Sequence, residues 1–343
     1  MNSEELTVSI LDESTIDEQI DLYKICFDIV EVSQKLRPFW IKKHYQNPLG
    51  KSLIFGIVID GKLAGMNAFL PVMYEYNSEK FLCLQSCESG VNPLFQGRGI
   101  WKKIMLFATG YIFSNTDYKM IIGFPNYRNS YPGFVKMKWE TKHQMNNFVL
   151  INNTKSFVHA IGLPRVVSLL HPFLSIQKIG YKIKGLFGSN KYEFKEGEFD
   201  SLIWQESHDM MNIFHSKDWL KWKFDYADEQ VVNIYDKGAL VASCVYKESA
   251  FEQESVIRID RICFNDGNKQ RQSVVVSKLL RYLSDKFPNA AFFRVWTMNG
   301  QGIERIIKSM FFLKSSHPNP FIIKKGDNNC PDVNWNLSFF DLD

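Results

Sequence analysis

The stretch from Val91 to Trp101, Val-Asn-Pro-Leu-Phe-Gln-Gly-Arg-Gly-Ile-Trp, constrains this chain more than any other. The apolar-rich segment 81–91 leads into it. Segment 100–114 leads out, with Ile100, Ile104, Phe107 and Tyr111 at helical spacing. The order is therefore strand, glycine-punctuated turn, helix. Gly97 and Gly99 let the backbone turn sharply and bring its amides close to a ligand. The first helical turn adds unpaired N–H donors and the positive end of the helix dipole, and Arg98 adds a full charge. Such a turn suits a pyrophosphate. A short β-like run, 119–122, follows some two dozen residues on. It ends in Gly123-Phe124-Pro125-Asn126, and then comes Ser130-Tyr131-Pro132-Gly133-Phe134-Val135-Lys136-Met137-Lys138-Trp139.

These two blocks, in this order and at this separation, resemble the GNAT superfamily of acyl-CoA-dependent N-acyltransferases. The family's marker reads V-x-P-x-x-R/Q-x-x-G-x-G/A, and Val91, Pro93, Gln96 and Gly99 fit it. Trp101 stands where a small residue is usual. The second block is similar to the family's fifth strand and fourth helix, with Phe134 at the usual tyrosine and Lys138 at the usual glycine. The resemblance covers about residues 50–140. It implies an α+β fold with a mixed sheet, and acetyl-CoA as acyl donor.

The residues around the turn divide among the tasks of such chemistry. The amides of Gly97, Arg98, Gly99, Ile100 and Trp101, with Gln96, are expected to hold the pyrophosphate. By the resemblance, Ser89, Gly90 and Val91 pair with the pantetheine arm as an added strand would, and Asn126 meets the same arm. An amine acceptor is protonated at neutral pH, so a base must take its proton. Glu88 is the candidate. Strand alternation sends Glu88 and Gly90 to one face and Ser89 and Val91 to the other. With Phe134 at the tyrosine position, Tyr131, one turn earlier, is the candidate acid for the leaving thiolate.

An internal repeat extends the reading. The run Phe39-Trp40-Ile41-Lys42-Lys43-His44-Tyr45 resembles Asp218-Trp219-Leu220-Lys221-Trp222-Lys223-Phe224, and each precedes a hairpin over a glycine turn. Strands at 256–264 and 290–297, with helices at 274–287 and 303–312, parallel the first half. The expected division is a GNAT domain at 1–151, a connector at 152–199 and a degenerate GNAT-like domain at 200–343. The second copy carries Asn265-Asp266-Gly267-Asn268-Lys269-Gln270-Arg271 in place of the glycine turn, and Asp266 repels phosphate. Gly300-Gln301-Gly302 before the last helix is its one hint of a phosphate turn. Segment 152–192 holds Lys155, Arg165, Lys178, Lys182, Lys184 and Lys191 among apolar residues, with no acid. It is expected to pack between the lobes or to touch an anionic membrane face peripherally.

Composition narrows the partners. A net charge of +4 over 343 residues is too mild for a nucleic-acid surface. No apolar run reaches the length of a membrane helix, and the acidic start Met1-Asn2-Ser3-Glu4-Glu5 is unlike a signal peptide. The six cysteines, scattered through apolar stretches, read as buried thiols of a cytoplasmic protein, and none forms a metal cluster with histidine. The expected function is N-acetyl transfer to a small-molecule primary amine, in first place an amino sugar of bacterial surface polysaccharide biosynthesis. Two alternatives stand beside it: an aminoacyl or peptidyl transferase of the FemABX type, and a non-catalytic acyl-CoA-binding module.

Overall fold

Two tight hairpins seed the first half of the sheet. β2 (Leu53–Ile59) and β3 (Lys62–Tyr76) are joined over Asp60 and Gly61, at φ 50° and 71°. That is the left-handed pair a type I′ turn needs. β3 turns into β4 (Glu79–Val91) over Asn77 and Ser78, again both left-handed. β1 (Val8–Leu11) adds antiparallel to β2, and β5 (Met120–Gly123) adds parallel to β4. The computed structural model describes residues 6–29, 33–162, 192–202, 209–298, 302–316, 318–326 and 331–341. Most of the basic connector, with Arg165, Lys178, Lys182, Lys184 and Lys191, lies outside the described residues, as do Gly300 and Gln301.

Strand alternation gives these strands two apolar faces, and helices cover both. Ile54, Leu63 and Ala68 pack under α1 (Ile16–Phe27) and α2 (Ser33–Tyr45). Phe55, Ile57 and Phe69 pack under α3 (Ile100–Asn115), which shares its core with Phe134 of α4 (Tyr131–Lys136). α1 stops at Phe27 because Asp28 turns left-handed, at φ 51°, and its amide bonds back to the Lys24 carbonyl.

The second half repeats this order. After β6 (Glu140–Ile151) come α5 (Thr154–Ala160), β7 (Tyr192–Gly197), β8 (Asn212–Ile213) and α6 (Lys217–Ala227). The hairpin β9 (Gln230–Asp236) and β10 (Ala239–Phe251) leads to β11 (Glu254–Phe264), α7 (Lys269–Lys286), β12 (Phe292–Met298) and α8 (Gly302–Ser309). β13 (Leu313–Lys314) and β14 (Asn319–Lys325) follow. α7 starts five residues before the helix expected at 274, because the Asn268 side chain accepts from the amides of Gln270 and Arg271 and caps it there.

The two halves are not side by side as closed units. They form one sheet in the order β1-β2-β3-β4-β5-β14-β6-β12-β11-β10-β9-β7. β14, from the second half, lies between β5 and β6 of the first, antiparallel to both. β6, from the first half, lies against β12 of the second. Each half thus lends its last strand to the other, and the lent strands meet at the centre. The core across this junction gathers Tyr74, Ile122, Met145, Trp219, Phe321 and Trp335, all nearly fully buried.

The C-terminal segment seals the second half. Phe339 stacks on Trp296 of β12 with ring centroids 3.8 Å apart, and the Arg258 guanidinium of β11 lies 4.4 Å from the Phe339 ring centroid. The buried Asp341 carboxylate accepts from Arg261 at 3.3 Å and from the Ser338 amide at 2.6 Å, with His215 Nε2 at 3.4 Å. Burial pushes His215 down to about 4, against the opposing pull of Asp341. Burial alone would raise the Asp341 carboxyl, but the charge of Arg261 and the contact with His215 leave it lowered.

Two outcomes are expected. Residues 1–151 expressed alone lack β14, so β5 and β6 lose the strand that joins them. This fragment should show no cooperative thermal transition by circular dichroism, whereas the full chain should melt in one. The second concerns acid. Unfolded His215 takes up a proton below about pH 6.5, but the folded residue does so only near 4. The stability this group allows is complete above 6.5 and falls by about 3 kcal/mol as pH drops to 4. The lowered Asp341 adds a loss of the same sign. Melting temperatures from pH 7 to 4 should fall less steeply for His215→Gln than for the wild type.

Candidate active site

β4 and β5 pair only from Leu84 opposite Ile121 to Ser86 opposite Gly123. Beyond that point β4 continues to Val91 along β3, while the chain leaving β5 turns through Phe124, Pro125 and Asn126 into α4. A V-shaped gap opens between them. At its head β4 carries a bulge. The register passes from Ala68 opposite Cys87 to Met66 opposite Gly90, so Glu88 and Ser89 together face Asn67. Glu88 takes a left-handed conformation, φ 40°, to make this possible. The extra residue re-aims the side chain. In unbroken alternation Glu88 would point with Leu84 toward α3; the bulge turns it toward α2.

There Lys43 Nζ donates to Glu88 Oε1, and the imidazole of His44 stands 3.6 Å from Oε2. His44 Nδ1 lies 3.0 Å from Ser52 Oγ. The side chains of Lys43 and Glu88 are each 5% exposed, so this is a buried ion pair. An added Cβ on Gly90 would also meet Cys26 of α1, while Val91 packs into the core under α3. Glu88 and Gly90 thus face one way and Ser89 and Val91 the other. The sequence pointed to Glu88 but not to its two partners from α2. Lys43 and His44 fall inside the repeated aromatic run, and that was their only signal.

The turn itself is built to leave amides open. Asn92 Oδ1 accepts from the Leu94 amide at 3.0 Å, Phe95 is buried as an anchor, and Gln96 Nε2 donates to the Val91 carbonyl at 3.3 Å. Gly97 and Gly99 stand at φ 78° and 73°, with nothing within 4 Å of an added Cβ. Glycine is needed there for its backbone, not for space. Gly99 caps α3 and offers no side chain to its first amides. Arg98, Lys102 and Lys103 are all exposed beside that turn, and no acidic residue occurs from 89 to 116. The two lysines add to the cationic surface the sequence had credited to Arg98 alone.

The other expected residues take more local roles. The Asn126 side chain accepts from the amides of Arg128 and Asn129, at 3.0 and 3.3 Å, and shapes the turn after β5. Tyr131 opens α4, and its hydroxyl lies 3.0 Å from Thr141 Oγ1 on β6. Phe134 is buried against Trp101 and Trp139. The Trp101 indole turns away from the glycine turn and donates to Ser89 Oγ at 2.6 Å. Glu88 lies toward α2 and Tyr131 on α4, so the two catalytic candidates flank the gap from opposite faces of the sheet.

The second half keeps this geometry but not its chemistry. β11 and β12 pair in parallel only from Ile257 to Ile259, and a bulge follows between Ile259 and Arg261. Counted from the last parallel pair, Arg261 holds the place of Glu88, with the opposite charge, and Asp341 neutralises it. The amides that open α7 are taken by Asn268, and Asp266 binds Arg271 at 2.8 Å. Among the described residues this half has no open cradle at the start of its helix, and the acid at its bulge, Asp260, is held bidentately by Arg258 at 2.5 and 2.8 Å.

Residues 7–141 match the acetyltransferase (GNAT) domain family. None of the curated proteins matches the sequence. A probable N-acyltransferase from Enterococcus faecalis V583 superposes with a TM-score of 0.61 at 11% identity, over 93% of this chain and 72% of its own. A tandem GNAT protein from the clavulanic acid biosynthesis pathway gives 0.58 at 9%, over 95% of this chain and all of its own. Saccharomyces cerevisiae N-myristoyltransferase with bound myristoyl-CoA gives 0.63 at 7%, over 93% of this chain and 78% of its own. At such identities these likenesses establish the fold. Residues 7–141 thus match the GNAT acetyltransferase domain, and the chain as a whole has the fold seen in a tandem GNAT protein.

Proposed function

We propose that this protein transfers an acyl group, in first place acetyl from acetyl-CoA, to the primary amine of a small acceptor. The observation that carries this is the glycine turn that opens α3 with uncapped amides, next to the bulge that carries Glu88. An acyl-CoA supplies an activated thioester. The amides of residues 97–101, with Arg98, Lys102 and Lys103, suit its phosphates. The edge of β4 from Ser89 to Val91, which β5 leaves uncovered, suits the pantetheine arm. Glu88 takes the amine proton on its carboxylate, directly or through a water. Lys43 offsets its charge and His44 stands close enough to share the proton's path.

An amino sugar is the acceptor we favour, on the resemblance carried by the Gly123–Asn126 run and the doubled fold. The proposed site of action is the cytoplasm, and no helix among the described residues is long and apolar enough to cross a membrane. Two observations favour a second reading, a module that binds acyl-CoA without turnover. Phe134 brings no hydroxyl to the gap, and Glu88 is held in a buried ion pair.

Two variants test these readings. Gly99→Glu forces a side chain onto a positive φ and sets a carboxylate against phosphate. Calorimetry should show no CoA binding; unchanged affinity would overturn the site. Glu88→Gln keeps the shape and removes the basicity. It should lower kcat by roughly 10²- to 10⁴-fold while CoA still binds. A near-normal kcat across pH 6 to 9 would remove Glu88 as the base. Absence of turnover by the wild type against a broad amine panel, with CoA bound, would favour the module.

A further inference from the structure

We propose that the indole of Trp101 is a gate in the donor cleft: it occupies the gap between β4 and α4 and must swing out before an acyl-CoA arm can lie along β4. The inference rests on the donor site assigned above and adds to it the residue that controls entry.

Trp101 is the second residue of α3, and its side chain reaches from there to both β4 and α4. Its Nε1 donates to Ser89 Oγ at 2.6 Å. Ser89 is on β4, three residues past the last pair with β5. The far edge of the same ring lies on α4. A Cβ built on Gly133 would stand 2.4 Å from Trp101 Cζ3 and 2.9 Å from Cη2, and the ring meets Phe134 edge-on at 5.0 Å. One side chain thus spans the two arms of the V at the level where strand pairing has ended. The side-chain hydroxyl of Ser89, on the stretch of β4 offered to a donor, is already taken.

The seat for this ring is specific. Gly133 does not stand at positive φ, so its backbone does not call for glycine. Alanine would suit a helix better. What calls for glycine is the indole, which leaves no room for a methyl group. Beyond its packing at the rim of the core under α3, the ring is held by one neutral hydrogen bond and one edge-to-face pair. Such contacts can be exchanged for those of an incoming arm. A closed gate lowers apparent affinity by the fraction of molecules that are open.

Two variants and one signal test this. Gly133→Ala keeps the indole but evicts it from its seat, and Trp101→Ala removes it. Both should bind CoA about 10-fold more tightly than the wild type by calorimetry, with native circular dichroism. In the wild type, CoA binding should change the tryptophan emission, and most of that change should vanish in Trp101→Phe. Equal or weaker CoA binding by Gly133→Ala would overturn the gate and make the indole a fixed strut, with the donor site intact. An emission change that persists in Trp101→Phe would also overturn it. Failure of the wild type itself to bind CoA would instead overturn the donor site on which the gate depends.

Discussion

The exchange of β6 and β14 is the constraint on which the rest of this structure depends. A parallel pair such as β4 and β5 cannot close a sheet by a short turn; its outer edge must be covered by something else. Here β14 covers β5, and β6 stands against β12, so neither half finishes its sheet from its own residues. The junction is also where the large apolar side chains sit. Phe321 of β14 packs against Phe124 after β5 and against Trp335 of the C-terminal segment, with centroids 5.2 and 4.7 Å apart. Covering the edges this way leaves β4 and β5 free to diverge above Ser86 without exposing a long unpaired strand to other chains.

Two gaps of the same construction have then taken opposite fates. In the first, the bulge presents an acid, the following turn leaves its amides open, and a movable aromatic ring stands between the arms. In the second, the bulged Asp260 is locked by Arg258, the next residue Arg261 is held by Asp341, an asparagine caps the helix, and the chain's own Phe339 packs against the strands. The filling follows from charge. A buried arginine needs a carboxylate, and a tail that supplies one brings its aromatic neighbours with it. Once Asp341 is seated, the second half gives up ligand space and gains a large share of the core between the halves.

Much of this was legible in the sequence, and the reasons are particular. The hairpin turns announced themselves through Asp60-Gly61 and Asn77-Ser78, the turn that opens α3 through Gly97 and Gly99, and the loss of that turn in the second half through Asp266. Long-range pairing was not legible. Nothing local in 319–325 says that this strand joins β5 rather than its own half, because an apolar strand pairs as well with either edge. The bulge was hidden for a related reason. Simple alternation from Ser89 and Val91 gave the right face for Glu88, but only the register between Asn67 and β4 shows that an extra residue makes it so. Lys43, His44 and Gly133 were missed because each matters through a partner distant in sequence.

The Lys43–Glu88 pair supports the proposed function on physical grounds of its own. Taking two charges out of water is costly, and a buried pair seldom stabilises a fold more than apolar side chains of the same size. This pair, moreover, is set on a residue held at φ 40°, a conformation that itself costs free energy away from glycine. The left-handed conformation is not needed to complete the sheet, since the bulge at Asp260 in the second half does without it. On the proposed function, the strain at Glu88, at the point where two strands part and next to an uncapped helix, is what keeps its carboxylate oriented for the acceptor.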